Sequence, residues 1–411
     1  MIYESNVSMG DRGQSPGVRA SSALLISQFG DCRQTTPYGL RAPAPIVYAK
    51  ASGCAAFGHQ QARSRFVGSP RDGFREIRSV MDAIETISGE GLRTGTFQYM
   101  TPAAEPSLWR NGKVLARRDR DGSDAGREGI DLESRAMAIH DARRLADPDR
   151  RTLARNGFEL LPRPMAKPGL DFLDHDQVVD AYYPDCAAII REASGADLVV
   201  AFDHNIRSAS GKKSQQRIKG GQQVQGPAQV VHGDYTLVSA PQRLRDLAKP
   251  PGRNDTFASR LKDGETLLDA DRVECALAGG RFAIINLWRN IADEPVETHP
   301  LALCDAPSVN PADLVVFEIH YHDRIGENYF AKHADDHQWY FYPRLTRDEA
   351  LLIKQWDSAG ALARSEGAEP DAARPEDPCT FSFHSSFADP ATRPDAPERW
   401  SIEVRCMALY D

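Results

Sequence analysis

The sequence predicts a mainly β fold with flanking helices (α+β), a double-stranded β-helix or jelly roll, and two observations carry that reading. Short segments of alternating or continuous apolar character recur along the chain with turn residues between them. The few helical segments stand apart from these strands with their own start and stop signals, such as Pro184 in the first turn and Gly195 just past the end of Tyr183–Gly195.

In chain order, residues 1 to about 92 are rich in Gly, Ser, Ala, Arg and Gln and show no consistent apolar period. Only Ala23–Ile26 and Pro45–Tyr48 read as pieces that could order, and only Phe74–Ile84 has helical spacing. A mostly disordered or irregular leader is expected there. A start codon placed too far upstream would read the same way. An organellar presequence fits less well, because several residues are acidic. Residues 93–411 read as one domain. Thr94–Met100 opens it as a strand, and a polar Gly/Asp/Arg stretch runs to about residue 127. After the helix at Tyr183–Gly195, Ala196–Asp203 reads as a strand, and Ser208–Gly226, rich in Lys, Gln, Gly and Ser, as a mobile loop. Helices are expected at Pro241–Leu247 and Asp269–Ala278, and strands at Phe282–Trp288, Leu301–Cys304, Leu314–Tyr321 and Trp339–Tyr342. Thr346 and Glu349 have capping-box spacing, which predicts a helix over Arg347–Trp356. Glu366–Pro378 is an acidic, Pro-rich loop, and no internal repeat is visible.

Composition narrows the function. A chain of 411 residues buries a sizeable core as one large or two modest domains. A net charge of −8 argues against nucleic acid or an anionic membrane as partner. The seven cysteines are scattered without a Cys-x-x-Cys pair, which excludes a disulfide framework or zinc knuckle and fits a reducing cytoplasm. No apolar run reaches the ~20 residues of a membrane helix, and no secretory signal is evident.

The chemistry is concentrated in two places. In Gln229-Val230-Val231-His232-Gly233-Asp234-Tyr235-Thr236, His232 and Asp234 sit two apart in an apolar run, so on a strand both side chains point to one face. With a third His they would make a 2-His-1-carboxylate triad, which leaves coordination positions open. Near the C-terminus, Thr380–Phe387 alternates hydroxyl and aromatic residues and contains His384. Fifteen residues on, Arg399, Ser401, Glu403 and Arg405 alternate with Trp400, Ile402 and Val404, a half-buried strand that puts Arg399 and Ser401 on one face. An arginine fork with a hydroxyl beside it suits a carboxylate. His337 competes with His384 for the third position, with Arg344 and Arg347 seven and ten residues on. His384 is preferred because Arg399-Trp400-Ser401 offers arginine and hydroxyl on a strand, whereas Arg344 and Arg347 lie between a proline and a helix start. His204 and Arg207, after a buried strand, are candidates for lining a pocket. Asn286 and Trp288 share a face that Arg289 does not. Arg405 serves either a ligand or a salt bridge. His320 and His322, without Cys partners, read as solvated surface rather than a zinc site.

Several ordered phrases resemble a known family: Asn156–Leu160, Tyr182-Tyr183-Pro184, Phe202–Arg207, Val231–Asp234, Ile285–Ile291, Pro300–Asp305, His337–Pro343, Lys354–Ser358 and Ser401–Arg405. They resemble the AsaB/CmcJ-like hydroxylase/desaturase proteins of fungal and bacterial secondary metabolism, from about Thr94 to Asp411. The resemblance implies a non-haem Fe(II)/2-oxoglutarate-dependent oxygenase with a jelly-roll core, acting on a small metabolite with O2 as co-reactant. By the same resemblance His232, Asp234 and His384 are the iron ligands, and Arg399 with Ser401 holds the distal carboxylate of 2-oxoglutarate. Two departures stand out. Ser385 follows His384 where the family usually has Thr, and Asn290 follows the Trp-Arg pair where it often has Pro. The competing expectation is a non-catalytic jelly-roll accessory subunit that partners another biosynthetic enzyme, such as a methyltransferase. The intact His, Asp, His, Arg set argues against it.

Overall fold

The computed structural model describes residues 92–410 except 120–123, 147–148, 253–254 and 323. The expected leader, save Leu92, and the helical stretch at Phe74–Ile84 lie outside the described residues. In chain order the strands are β1 (Leu92–Met100), β2 (Leu115–Arg118), β3 (Asp124–Glu128), β4 (Leu132–Asp141), β5 (Phe158–Pro162), β6 (Leu198–Arg207), β7 (His232–Gly233) and β8 (Arg281–Asn290). They continue as β9 (Leu301–Cys304), β10 (Leu314–His320), β11 (Ile325–Ala331), β12 (Trp339–Phe341), β13 (Glu349–Asp357), β14 (His384–Ser386) and β15 (Ser401–Tyr410). One sheet has ten strands in the order β1-β4-β12-β9-β14-β7-β11-β10-β2-β3, and the other has five in the order β5-β13-β8-β15-β6.

These two sheets make the jelly roll that the sequence predicts, because both need cover for an apolar face. Phe97, Trp339, Phe341 and Phe383 of the large sheet share one core with Phe202, Ile284, Trp356 and Met407 of the small one. Phe97 stacks on Trp339 with centroids 4.5 Å apart. Each fully buried ring of this kind contributes ~1.5–3 kcal/mol. The other face of the small sheet is covered by α1 (Tyr183–Ser194), whose Cys186, Ile189 and Ile190 pack with Ile285, Leu287, Val404 and Cys406. Gly195 closes α1 at φ 69°, its amide donating to the Arg191 carbonyl, in a left-handed turn that glycine reaches without strain. Two further helices, α2 (Ser239–Leu247) and α3 (Ala270–Leu277), match the expected segments, and Asp269 caps α3 by accepting from the Arg272 amide. Among the described residues, no helix is long and apolar enough to cross a membrane.

One expected element is wrong. Arg347–Trp356 is not a helix: Glu349–Asp357 forms β13, between β5 and β8. The Thr346 amide does donate to Glu349 Oε2 at 3.0 Å, but that bond closes a turn leading into the strand. Ala350 and Leu352 face the core under α1, while Leu351 and Ile353 face the opposite side. A strand buried on both faces reads as an unbroken apolar run, which periodicity does not separate from a buried helix. The polar stretch from Met100 to about residue 127 hides β2 and β3, and β4, which follows it, was not expected either. In β4 only Met137 and Ile139 are buried, with wetter residues between them. Ser208–Gly226 contains a short helical turn, Ala209–Lys213, and buries Ile218 and Val224 against the core under α1.

Two β-bulges aim side chains toward the space between the sheets. In β6 the pairing with β15 jumps from Asp203↔Arg405 to Ala201↔Cys406, leaving Phe202 unpaired. The flip puts Asp203, Asn205 and Arg207 opposite Arg405, Glu403 and Ser401, on the inner face. In β13 the ladder with β8 jumps from Lys354↔Ile285 to Trp356↔Ile284, which turns Gln355 inward.

Candidate active site

Strand β7 is only two residues long, and its neighbours hold it in place. His232 pairs directly with His384 of β14 on one side and with Phe330 of β11 on the other. The two imidazoles therefore meet across the ladder, centroids 4.3 Å apart and tilted by 49°. Gly233 between His232 and Asp234 has a packing reason, since a Cβ there would lie 3.0 Å from the buried Phe381 ring. Ligand-competent atoms of His232, Asp234 and His384 all lie within 4.8 Å of one another, and all three residues are buried. Among the described residues no other such group of three forms.

The surroundings prepare this trio for a cation. His232 Nδ1 lies 2.8 Å from the Val230 carbonyl. With its proton donated there, Nε2, 3.7 Å from Asp234 Oδ1, is left with a lone pair. The Asp234 amide donates to Gln355 Oε1 at 3.1 Å. Asp234 Oδ2 accepts from Asn286 Nδ2 at 3.0 Å and lies 3.8 Å from Arg405 Nε. Asp234 Oδ1 and His384 Nδ1 remain buried without a hydrogen-bond partner. Orphaned acceptors of this kind are costly unless a metal takes them, so the residues fit an ion. Two imidazoles and one carboxylate oxygen, with other positions open, suit non-haem iron(II). Burial opposes ionisation of Asp234, yet the neighbouring His384 and Arg405 hold its carboxyl well below the usual range. Burial, then His384, pushes the His232 imidazole well below its ordinary value, the direction that suits an imidazole offering a lone pair to a cation.

A narrow cleft opens beside the trio, lined by His232, His384, Trp288, Arg207, Arg399 and Glu403 among others. Arg399 lies just before β15. Its amide donates to Thr298 Oγ1 at 2.9 Å, one guanidinium nitrogen donates to the His299 carbonyl, and the guanidinium sits 5.8 Å from the Trp288 ring centroid. Burial first, and the neighbouring Arg207 charge next, push this guanidinium down, against the opposing pull of Glu403. A buried cation short of countercharge is relieved by an arriving carboxylate. Ser401, fully buried, follows on the same face of β15, opposite Arg207.

Other expected residues divide clearly. Asn286 and Trp288 both reach the site, the first at Asp234 and the second under Arg399. Arg289 points away and donates to the Tyr182 hydroxyl. Arg405 is an ion-pair residue, bound to Asp203. His337 is an anchor, 3.2 Å from the Tyr99 hydroxyl and 3.3 Å from Asp313 Oδ2, and Arg344 and Arg347 pair with Glu297 and Asp293. His320 pairs with Glu318 at 2.8 Å. Asn290 donates to the Glu294 and Leu345 carbonyls and so ties down a loop. The β6 bulge turns His204 outward, away from the cleft, while Arg207 lines it. Sequence reading missed Gln355, Glu403 and Asp203 as site neighbours. Glu403 shares the face of Arg399 by simple alternation, but the other two depend on bulges that no residue pattern announces.

His204 carries a pH prediction. Its Nδ1 lies 2.8 Å from the Tyr183 hydroxyl, and its ring stacks on His175 at 5.3 Å. Burial outweighs the raising charge of Asp203 and takes its pKa down to about 4. Unfolding frees a histidine that titrates near its ordinary value of ~6.5. The stability it contributes is therefore complete above that value and lost as pH falls toward 4. Urea unfolding should show this one group taking about 2 kcal/mol from the wild type between pH 7 and pH 5. His204→Gln should show a correspondingly smaller loss, and equal losses would refute the assignment.

A family model described as an oxidoreductase/YMDC permease-like domain matches residues 97–409. The chain belongs to this oxidoreductase family, the hydroxylase/desaturase group that its motifs resemble. Among its relatives, an uncharacterised protein from the dcmA 3′ region of Methylophilus leisingeri is 44% identical over 194 residues, 47% of this chain and 88% of that protein. The alpha-ketoglutarate-dependent dioxygenase phiK of a fungal species is 28% identical over 291 residues, 69% of this chain and 87% of that protein. A solved structure, the iron and alpha-ketoglutarate-dependent endoperoxidase NvfI, aligns with a TM-score of 0.57 at 23% identity, covering 78% of this chain and 98% of its own. At that identity the likeness speaks for the shared fold of this oxidoreductase.

Proposed function

We propose that this oxidoreductase is an Fe(II)/2-oxoglutarate-dependent oxygenase that hydroxylates or desaturates a small secondary metabolite. The observation that carries the reading is the buried His232–Asp234–His384 trio with two orphaned acceptors, opening on the same cleft as Arg399. When bound, iron with 2-oxoglutarate supplies oxygen activation coupled to decarboxylation of the keto acid to succinate. The chain's part is positioning. His232 and His384 meet across one ladder, so their separation is set by the strand spacing. Asn286 and Gln355 fix the Asp234 carboxylate and backbone, so that Oδ1, which has no hydrogen-bond partner, would be the atom to hold an ion. Arg399, braced by Thr298 and His299, with Ser401 beside it, would take the distal carboxylate of 2-oxoglutarate. The buried walls keep water from competing with substrate. Hydroxylation and desaturation differ only in how the substrate sits against this shared centre.

The proposed setting is the reducing cytoplasm, in a biosynthetic pathway where the product can pass to a partner enzyme. The five described cysteines Cys186, Cys275, Cys304, Cys379 and Cys406 are free thiols, which suits it. A nucleic-acid partner is not proposed for a chain of net charge −8. The test is an anaerobic titration of the purified protein with Fe(II) and 2-oxoglutarate, watching for the visible band of the iron–keto-acid chelate, then succinate formation on admitting O2. Wild type should give both, and Arg399→Ala neither at moderate 2-oxoglutarate. A fully metallated wild type with no band and no succinate would leave the accessory-subunit reading in its place.

A further inference from the structure

The orphaned polar atoms near Asp234 go beyond the two that an ion would take. Gln355, whose Oε1 accepts from the Asp234 amide, keeps a buried Nε2 with no hydrogen-bond partner among the described residues. Asn328 goes further: it is 2% exposed, and neither its Nδ2 nor its Oδ1 finds a partner there. A buried polar group left without a hydrogen bond costs roughly 1–3 kcal/mol, so a carboxamide unmet at both ends points to a ligand that meets it.

Strand register sets Asn328 beside the trio. On β11, Phe330 pairs with His232 and Tyr329 with Gly233, so Asn328 and Asp234 are the next residues along the two strands. Directly paired residues share a face, and residues two apart on one strand return to it. Phe330, Asn328 and His232 therefore stand on one side of the sheet. Phe317 of β10 pairs with Asn328, and its ring stacks on Phe330 with centroids 4.4 Å apart and planes 9° from parallel. The wall next to His232 is thus aromatic and apolar, and it carries one unmet carboxamide.

We infer that Asn328 is a substrate-binding residue, and that the substrate presents to it a lactam or similar cis-amide edge on an otherwise apolar body. The assignment rests on the oxygenase reading above and gives it a substrate class. The Asn328 side chain offers an amide donor and a carbonyl acceptor together. A group that satisfies both at once must accept and donate side by side, as a cis-amide does. A ketone or ester supplies only the acceptor, and a tertiary amide has lost its donor. Phe317 and Phe330 take the apolar body by contact area. Discrimination follows because an analogue that lacks the donor leaves Asn328 Oδ1 buried and unpaired.

The experiment uses oxindole, which carries such an edge, and N-methyloxindole, which has lost the donor. Each is titrated calorimetrically into the full chain loaded anaerobically with Fe(II) and 2-oxoglutarate. Wild type should bind oxindole about tenfold more tightly, the worth of one buried hydrogen bond left unmade. Asn328→Val and Asn328→Ala should bring the two probes within about twofold of each other. Both variants should also unfold in urea no earlier than wild type, since each removes an unpaired amide. No preference for oxindole in the wild type, a preference that survives both substitutions, or a marked loss of stability in both variants would overturn the role of Asn328 and leave the oxygenase reading standing. A wild type that prefers oxindole but forms no iron–keto-acid band keeps Asn328 as an amide-binding residue, and it is then the oxygenase reading that fails.

Discussion

Replacing His232, Asp234 or His384 by alanine should abolish Fe(II) binding and 2-oxoglutarate turnover together, whereas His337→Ala should keep both. The three residues share one buried cluster, and each supplies an atom that nothing else in the cluster replaces. Losing an outer partner of a metal ligand typically costs roughly 10–100-fold in affinity, so loss of a ligand itself should exceed that. His337 stands elsewhere, between Tyr99 and Asp313. Its removal takes one partner each from Tyr99 and Asp313, which keep Trp339 Nε1 and the Asn310 amide, and should cost ~0.5–1.5 kcal/mol per lost bond. Competition with a chromophoric Fe(II) chelator and succinate formation read the first effect, and urea unfolding the second. Should His384→Ala bind iron like wild type while His337→Ala does not, the third ligand would be His337.

The reason His384 could be preferred from sequence is local. His-x-Asp needs only strand periodicity, and Arg399 and Ser401 need only the alternation of Trp400, Ile402 and Val404. Those patterns survive because the strands that carry them have one polar and one apolar face. The same logic fails at β13, where Ala350-Leu351-Leu352-Ile353 is buried on both faces and shows no period at all. It fails again wherever a bulge shifts parity. Alternation from Phe202, which faces the core between the sheets, would place His204 inward and Asp203 outward. The extra residue in β6 reverses both, and puts Arg207 on the cleft. Gln355 likewise reaches the Asp234 amide only because β13 bulges there. The strands and the neighbours Asn286, Trp288 and Arg399 were legible where side chains alternate, whereas Gln355 and Asp203 were not, because backbone irregularity decides where they point.

Arg405→Leu should be strongly destabilising, although Arg405 is not itself a proposed ligand. Arg405 is buried between two carboxylates, paired with Asp203 and 3.8 Å from Asp234 Oδ2. Deleting the cation takes a countercharge from two largely buried carboxylates, and breaking a buried pair from one side costs ~3–5 kcal/mol. Asp203→Asn in the same background removes one stranded charge, so the double variant should recover part of that loss in urea unfolding. Fe(II) offers the other compensation. An ion at the trio lies next to Asp234 and replaces the missing positive charge, so metal should stabilise Arg405→Leu more than it stabilises wild type. A single variant within ~1 kcal/mol of wild type would mean that Asp203 and Asp234 find other partners. Equal stabilisation of both proteins by Fe(II) would mean that Arg405 and the metal act on Asp234 independently.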